Sequence, residues 1–204
     1  NKLLTFDENT TGGISWKMLS EVCNFKNGKG HEQNICNEGT YIVVNSKFIS
    51  TGGVVKKYVD EQICPVYKND ILMVMSDLPN GKALAKCFLV SKNNVYSLNQ
   101  RICALTVKNP QDTNEKFLYY VLDRNKQLLR YDNGVDQTNL RKDDILKIHI
   151  PIPPLDEQGR IVAILDKFDS LVNDISEGLP AELNARRQQY EYYRNKLLTF
   201  TEMN

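Results

Sequence analysis

The chain has 204 residues, of which 41% are hydrophobic and 25% are charged, and this composition excludes a disordered tail or a fibrous protein. No run approaches the roughly 18 apolar residues of a membrane span, and the N-terminus lacks the apolar segment of a signal peptide. We therefore expect a cytoplasmic protein without membrane contact. Because 26 basic residues stand against 25 acidic ones, bulk charge does not select a partner.

The first six residues, NKLLTF, occur again at positions 195–200 with every residue identical. An identical hexamer at both ends of a chain indicates one unit of a tandem duplication. We therefore predict that residues 1–6 are the tail of a preceding repeat's final helix, and that this chain corresponds to one half of a duplicated protein.

Short apolar runs, bounded by Asn, Asp, Gly or Pro, follow along the first three quarters of the chain and predict β-strands. A longer stretch has apolar residues at helical spacing instead. The predicted strands are 41–44, 71–75, 87–90, 102–107 and 145–150, and the predicted helix is 115–129. Strands and a helix together predict a mixed α/β domain of the α+β class over residues 7–154.

A proline cluster at residues 151–154 marks the end of that domain, because prolines in series do not continue a sheet or a helix interior. The charge balance changes there as well: residues 1–154 hold 20 basic and 16 acidic side chains, whereas residues 155–204 hold 6 and 9. All five cysteines precede the cluster, and without a C-x-x-C pair they are predicted to be buried free thiols and not metal ligands.

After the prolines the apolar residues recur every seven positions, which predicts a coiled-coil seam. Residues 155–204 are therefore predicted to be a long helical coiled-coil arm, broken near 178–180, that serves as a dimerisation and spacer region. Two such helices are too narrow to fold alone, so we expect a partner helix from elsewhere. The predicted seam residues are Ile161, Leu165, Phe168, Val172, Ile175, Leu183, Tyr190 and Leu197.

Sequence motifs for catalysis are missing. The chain has no phosphate-binding loop, no nucleophile elbow, no H-E-x-x-H zinc motif and no dinucleotide fingerprint. Asn109 and Pro110 are followed by Gln111, so the Asn-Pro-Pro-aromatic tetrapeptide of amino-methyltransferases is missing too. We predict a non-catalytic protein that has no metal or cofactor of its own.

Polar loops of the first domain combine glycine with basic and amide side chains. Glycine lets a backbone approach a phosphate, Lys and Arg neutralise it, and Asn, Gln and Arg pair with base edges. From composition alone, ordinary polar loops explain the same residues. The candidate DNA-binding residues are Lys26, Lys29, Thr51, Lys56, Lys57, Lys82, Gln137, Asn139, Arg141 and Lys142.

Several segments resemble the DNA-specificity subunit of type I restriction-modification systems, and the resemblance extends over essentially all of the chain. Residues 16–22 (WKMLSEV) resemble the opening of a target-recognition domain, and residues 117–122 (FLYYVL) resemble its internal helix. The most specific segment is 148–158 (IHIPIPPLDEQ) with 160–166 (RIVAILD) after it. Residues 176–182 (SEGLPAE) and 186–194 (RRQQYEYYR) resemble the family's conserved helical region.

The resemblance implies a subunit built from two such halves, each reading one part of a split double-stranded DNA sequence. It also implies that the helices bind methyltransferase subunits and, through them, restriction subunits, which alone would use S-adenosylmethionine, ATP and magnesium. This chain would act beside a second half or as a homodimer. The alternatives are the specificity domain of a single-chain methyltransferase or restriction enzyme, and a homodimeric coiled-coil adaptor that binds only protein.

Overall fold

The structure, a computed structural model, describes residues 13–31, 33–79, 81–174 and 180–199. Its contacts divide the chain into two compact units. One unit is Met18–Ile150, and the other contains the described residues before Met18 and after Ile150. The predicted helical tail at residues 1–6 and the predicted break at 178–179 lie outside the described residues.

Most of the described elements are short, six strands follow one another without a helix between α2 and α3, and the last two of the described helices are the longest. The strands are β1 (Ser15–Met18), β2 (Cys23–Asn27), β3 (Tyr41–Val44), β4 (Tyr58–Val59), β5 (Ile71–Val74), β6 (Ser76–Asp77), β7 (Cys87–Leu89), β8 (Tyr96–Leu98), β9 (Ile102–Val107), β10 (Thr138–Asn139) and β11 (His149–Ile152). The helices are α1 (Leu19–Val22), α2 (Ser46–Ser50), α3 (Glu115–Leu122), α4 (Lys126–Leu129), α5 (Lys142–Leu146), α6 (Leu155–Asp174) and α7 (Pro180–Leu198).

Two sheets form the centre of the unit Met18–Ile150. One is an antiparallel sheet with the strand order β2-β9-β5-β7, and the other has the order β4-β3-β8, in which β3 and β8 run parallel. The predicted strands at 41–44, 71–75, 87–90 and 102–107 are confirmed as β3, β5, β7 and β9, with ends that differ by at most one residue. The mixed α/β fold is thus as predicted.

Apolar side chains from both sheets form one buried cluster. It contains Leu72 and Val74 of β5 together with Val44 of β3 and Leu98 of β8. Because successive strand residues alternate between faces, Ile71 and Met73 point away from this cluster, yet all four residues of β5 are fully buried. Both faces of the antiparallel sheet are therefore covered, and helix α3, whose residues Phe117 and Tyr120 are buried, contacts β7.

The predicted helix at 115–129 is wrong as a single element, because the chain turns between α3 and α4. Arg124 has a left-handed backbone (φ 56°), and Asn125 caps α4 by accepting a hydrogen bond from the Gln127 amide at 2.9 Å. Contacts distant in sequence stabilise the turn: the Cys87 amide donates to Asp123 at 2.8 Å, and the Arg124 side chain donates to the Leu84 carbonyl at 3.0 Å. Local helical periodicity contains no information about these partners.

The predicted strand at 145–150 is only partly correct, since Ile145 and Leu146 belong to helix α5. The Arg141 amide donates to the Asp144 carboxylate at 2.9 Å, an acidic contact that stabilises a helix N-terminus. The strand β11 begins at His149 and continues through Pro151, contrary to the expectation that the prolines end all sheet structure. It belongs to a two-stranded sheet with β1, and proline is tolerated at such a sheet edge.

The long coiled-coil arm is not found in the described residues; instead α6 and α7 are two helices of 20 and 19 residues that contact each other. The Phe168 ring stacks on Tyr193 with centroids 5.5 Å apart, so the chain itself covers part of the predicted seam. Of the other predicted seam residues, Ile161, Leu165 and Leu197 are buried and Tyr190 is half-buried. The side chains of Val172 and Leu183, and Ile175 as a whole, lie outside the described part. None of the described helices is long and apolar enough to cross a membrane.

The cysteines are free thiols, four of them buried, and only Cys36 is half-buried. Burial raises the pKa of both Cys23 and Cys103 to about 12, because the thiolate would lose its hydration. We expect iodoacetamide at pH 8 to modify Cys36 and to leave Cys23 and Cys103 intact, as measured by mass spectrometry of the native protein. Modification of Cys103 as fast as that of Cys36 would contradict the buried packing of β9.

Candidate nucleic-acid interface

Strand directions bring several polar loops to one end of the unit Met18–Ile150. Antiparallel pairing puts the carboxyl ends of β2 and β5 beside the amino ends of β9 and β7. A tight turn connects β8 to β9, in which the Ile102 amide donates to the Asn99 carbonyl at 3.0 Å, so the carboxyl end of β8 lies at the same end of the unit. Because β3 runs parallel to β8, the carboxyl end of β3 lies there too. We call this region the loop end; its segments are 28–30, 45–57, 75–79, 81–86, 99–101 and 137–141.

The segment after β2 crosses the end of β8 at very short range. The Gly28 amide donates to the Ile102 carbonyl and the Lys29 amide to the Leu98 carbonyl, both at 3.0 Å. A Cβ atom on Gly28 would lie 1.9 Å from the Asn99 carbonyl oxygen, so only glycine fits here. This crossing fixes the backbone position from which the exposed Lys29 side chain extends.

The buried His31 side chain holds the segment 28–30 in place through a hydrogen bond to the Lys29 carbonyl. His31 Nδ1 lies 2.7 Å from the Lys29 carbonyl oxygen, which only accepts, so Nδ1 is the nitrogen that donates. Nε2 then accepts from the Ser97 hydroxyl at 2.7 Å, and the Ser97 oxygen accepts from the Cys64 amide at 3.2 Å. His31 is therefore part of a complete hydrogen-bond network that positions Lys29.

The segment between β3 and β4 carries three exposed lysines, Lys47, Lys56 and Lys57, of which the last two are predicted DNA-binding residues. Asn45 caps α2 by accepting from the Phe48 amide at 2.9 Å, and the Val43 amide donates to the Lys57 carbonyl at 2.8 Å, so both ends of the segment are fixed. The side chains of Lys56 and Lys57 are exposed. The Thr51 hydroxyl, in contrast, donates to the Lys47 carbonyl at 2.8 Å and accepts from the Val55 amide, so it acts within its own loop.

The turn after β6 is organised around the Asp77 carboxylate. Its oxygens accept from the amides of Leu78 at 2.9 Å, Ala83 at 2.7 Å and Leu84 at 3.1 Å. These donors compensate the negative charge of Asp77, while the side chain of Lys82 is exposed on the same turn. The turn thus presents the positive charge of Lys82 to the solvent beside a carboxylate that accepts from backbone amides.

Strands β6 and β10 form a short antiparallel ribbon in which Asn139 lies opposite Ser76. Gln137 Nε2 donates to the Ser76 hydroxyl at 2.7 Å and, more weakly, to Asn139 Oδ1 at 3.4 Å. Gln137 and Asn139 are exposed, and Arg141, which follows the ribbon, is exposed as well. The Leu140 amide donates to the Met75 carbonyl at 2.7 Å and attaches the ribbon to the end of β5.

The side chains of two other candidates, Lys26 in β2 and Lys142 at the start of α5, are engaged close to β2 itself. Lys26 donates to the Pro65 carbonyl at 2.6 Å, and the Lys142 ammonium lies 5.8 Å from the centroid of the Phe25 ring. Because Phe25 and Lys26 are consecutive strand residues, they point to opposite faces of the sheet. The candidates that the structure brings together at the loop end are Lys29, Thr51, Lys56, Lys57, Lys82, Gln137, Asn139 and Arg141.

The family model for the type I restriction modification DNA specificity domain matches residues 14–185. The chain belongs to this family. It is 28% identical to the EcoR124I/EcoR124II specificity subunit of Escherichia coli over 98% of its own length and 51% of that subunit. A putative type I specificity subunit of Mycoplasma pneumoniae is 33% identical over 54% of this chain and 36% of the relative. The chain spans about half the length of the first of these relatives, and less of the second.

The fold is also similar to that of solved members of the family. The crystal structure of the type I restriction-modification S subunit from M. genitalium has a TM-score of 0.62 at 23% identity, over 81% of this chain and 42% of that one. At this identity the likeness concerns the fold alone. Like the E. coli relative, it is about twice as long as this chain.

Three residues outside the predicted set, Arg101, Lys86 and Ser76, also lie at the loop end. Arg101 is exposed in the turn between β8 and β9, and its carbonyl accepts from the Met75 amide at 3.0 Å. Lys86 donates to the Ser50 carbonyl at 3.1 Å, and Ser76 holds Gln137. The polar sequence Asn-Gln-Arg between two apolar runs indicates a turn and could have identified Arg101. No local sequence pattern distinguishes Ser76.

The loop end carries side chains of the types that make contacts to DNA. It combines ammonium, guanidinium and amide groups from separate segments, which suit phosphate oxygens and base edges. Among the residues that the structure describes, no three His, Cys, Asp or Glu side chains come together as metal ligands would.

Proposed function

We propose that the unit Met18–Ile150 reads one half of a split DNA target, with the loop end as its contact surface. The observation that carries the proposal is the convergence at the loop end of basic and amide side chains from five separate segments of sequence. Membership of the DNA-specificity family supports it independently. The protein performs no chemistry itself in this proposal.

Two sets of side chains have different roles on this surface. Lys29, Lys56, Lys57 and Lys82 neutralise phosphates and position the domain, since ammonium groups attract the DNA backbone irrespective of sequence. The second set is the ribbon with Gln137, Asn139 and Arg141, whose amide and guanidinium groups match base edges in the major groove. Lys26 and Lys142 lie outside this surface, and the Thr51 hydroxyl has a structural role in its loop.

The partners in this proposal are a second half and the catalytic subunits. The family relatives are specificity subunits, and this chain spans 51% of the E. coli relative, so a second half completes the bipartite reader either within a longer chain or as a homodimer. Methyltransferase subunits dock on the helices and bring restriction subunits with them. S-adenosylmethionine, ATP and magnesium are used by those partners.

A salt titration tests the proposal against a protein-only adaptor. We expect the chain to bind fluorescent duplex DNA, with an affinity that falls by at least tenfold between about 50 and 200 mM salt as counterions return to the phosphates. Fluorescence anisotropy measures this directly. An adaptor that binds only protein gives no anisotropy change at any salt concentration, and that result would overturn the proposal.

The same proposal predicts self-association when no second half is supplied. We expect two copies of the chain to associate through helices α6 and α7, because removing apolar side chains from water lowers the free energy of the dimer. Sedimentation velocity should give the mass of a dimer, and Phe168→Asp should shift the protein toward monomer. A wild-type monomer at tens of micromolar would restrict the proposal to a longer chain with two halves.

A further inference from the structure

The two exposed amides of the β6–β10 ribbon are joined to each other and to a buried hydroxyl. Ser76 is only 7% exposed and lies directly across the ribbon from Asn139. Gln137 immediately precedes β10 and stands two residues before Asn139, so the alternation of an extended chain places both side chains on the same face of the ribbon. Gln137 Nε2 donates to Ser76 Oγ at 2.7 Å and to Asn139 Oδ1 at 3.4 Å.

These contacts decide which amide atoms are available to a ligand. A glutamine amide has two N–H donors and one carbonyl acceptor. Both donors of Gln137 are engaged within the ribbon, so the side chain offers its acceptor Oε1. Asn139 uses Oδ1 to accept from Gln137 and therefore offers the donors of its Nδ2. The ribbon thus presents one acceptor and one donor group side by side.

Of the four bases, adenine alone is complementary to both groups at its major-groove edge. Its N6 amine donates and its N7 accepts, whereas guanine and thymine present only acceptors there and cytosine only a donor. We propose that the Gln137–Asn139 pair recognises an adenine of the half-site and that Ser76 is the positioning residue that selects adenine. This inference rests on the proposed function, because it requires the loop end to lie in the major groove.

Ser76 has this role because it determines the orientation of the Gln137 amide. Without the hydroxyl, the amide rotates and exposes its N–H donors as readily as its acceptor. An exposed donor pairs with O6 of guanine or O4 of thymine, so the preference for adenine is lost. Overall affinity changes little, since it depends mainly on phosphate contacts.

A matched pair of variants isolates the hydroxyl from the packing of this buried site. Ser76→Thr and Ser76→Val add side chains of nearly the same shape, but only threonine keeps the hydroxyl. Selection of bound duplexes from a random-sequence library gives the base preference at each position. We expect wild type and Ser76→Thr to share one adenine position, and Ser76→Val and Gln137→Ala to lower the discrimination at that position alone by about tenfold.

The outcomes separate this inference from the proposed function. If the wild-type chain selects no sequence at all, the proposed function itself is wrong. If it selects a motif that Ser76→Val and Gln137→Ala leave unchanged, recognition occurs but the assignment of the ribbon is wrong. Loss of preference in Gln137→Ala with equal preferences in Ser76→Thr and Ser76→Val would refute the positioning role, and a guanine or thymine at the affected position would refute the assigned polarity.

Discussion

We expect the affinity for duplex DNA to fall on the order of a thousandfold at about 0.1 M salt when four lysines are changed to alanine in one variant. These lysines are Lys29, Lys56, Lys57 and Lys82. Each phosphate contact contributes about 0.9 to the slope of log K against log salt, so four contacts contribute about 3.6. All duplexes should be affected alike, because phosphate contacts contain no sequence information. Anisotropy titrations at several salt concentrations measure both the affinity and the slope.

Two lysines at the opposite end of the antiparallel sheet provide the control. Lys68 precedes β5 and Lys92 follows β7, and both are exposed. The double variant with Lys68 and Lys92 changed to alanine should keep the wild-type slope, whereas the double variant at Lys56 and Lys57 should lose about 1.8 from it. Equal losses in the two double variants would mean that binding follows net charge and not the loop end.

Gly28→Val should have the largest effect on stability. The new Cβ atom would lie 1.9 Å from the Asn99 carbonyl oxygen, and all the nearest atoms belong to the backbone of Leu98 and Asn99, which cannot rotate away as a side chain could. Separating the strands there also breaks the hydrogen bonds from Gly28 to Ile102 and from Lys29 to Leu98. Overpacking and the lost bonds together cost about 3–5 kcal/mol of unfolding free energy, a large fraction of the total for a domain.

Urea unfolding followed by circular dichroism measures this loss of unfolding free energy. Substitution of a second glycine, Gly159, should change the stability in the opposite direction. Gly159 lies exposed in helix α6, and nothing is within 4 Å of a Cβ atom there. Gly159→Ala should therefore raise the stability of its helix by up to about 1 kcal/mol. A Gly28→Val protein as stable as wild type would contradict the close crossing of 28–29 over β8.

The elements that could be predicted from sequence are those whose apolar pattern is complete in itself. Strand β9 was predicted at its observed bounds because a six-residue apolar run ends at polar residues on both sides. The break between α3 and α4 could not be predicted, because it depends on hydrogen bonds of Asp123 with Cys87 and of Arg124 with Leu84, which are distant in sequence. The start of α5 was missed because the Asp144 cap outweighs the alternating pattern around it.

The candidate site was predictable as a set of residue types but not as a surface. Lysines and amides in glycine-containing loops were identifiable from their chemistry. Their convergence depends on strand register and on the parallel pairing of β3 with β8, which no local pattern specifies. Lys26 was selected because its surrounding sequence is typical of a loop, but it lies within β2 and its ammonium donates to the Pro65 carbonyl.

In the proposed function, the unit Met18–Ile150 determines which bases are read. The most direct measurement is the methylated DNA motif produced by the enzyme assembled with this chain, before and after this unit is exchanged for that of another family member. We expect the bases of the half-site read by the exchanged unit to change, and those of both half-sites to change if the chain is a homodimer. An unchanged motif after the exchange would contradict the proposed function.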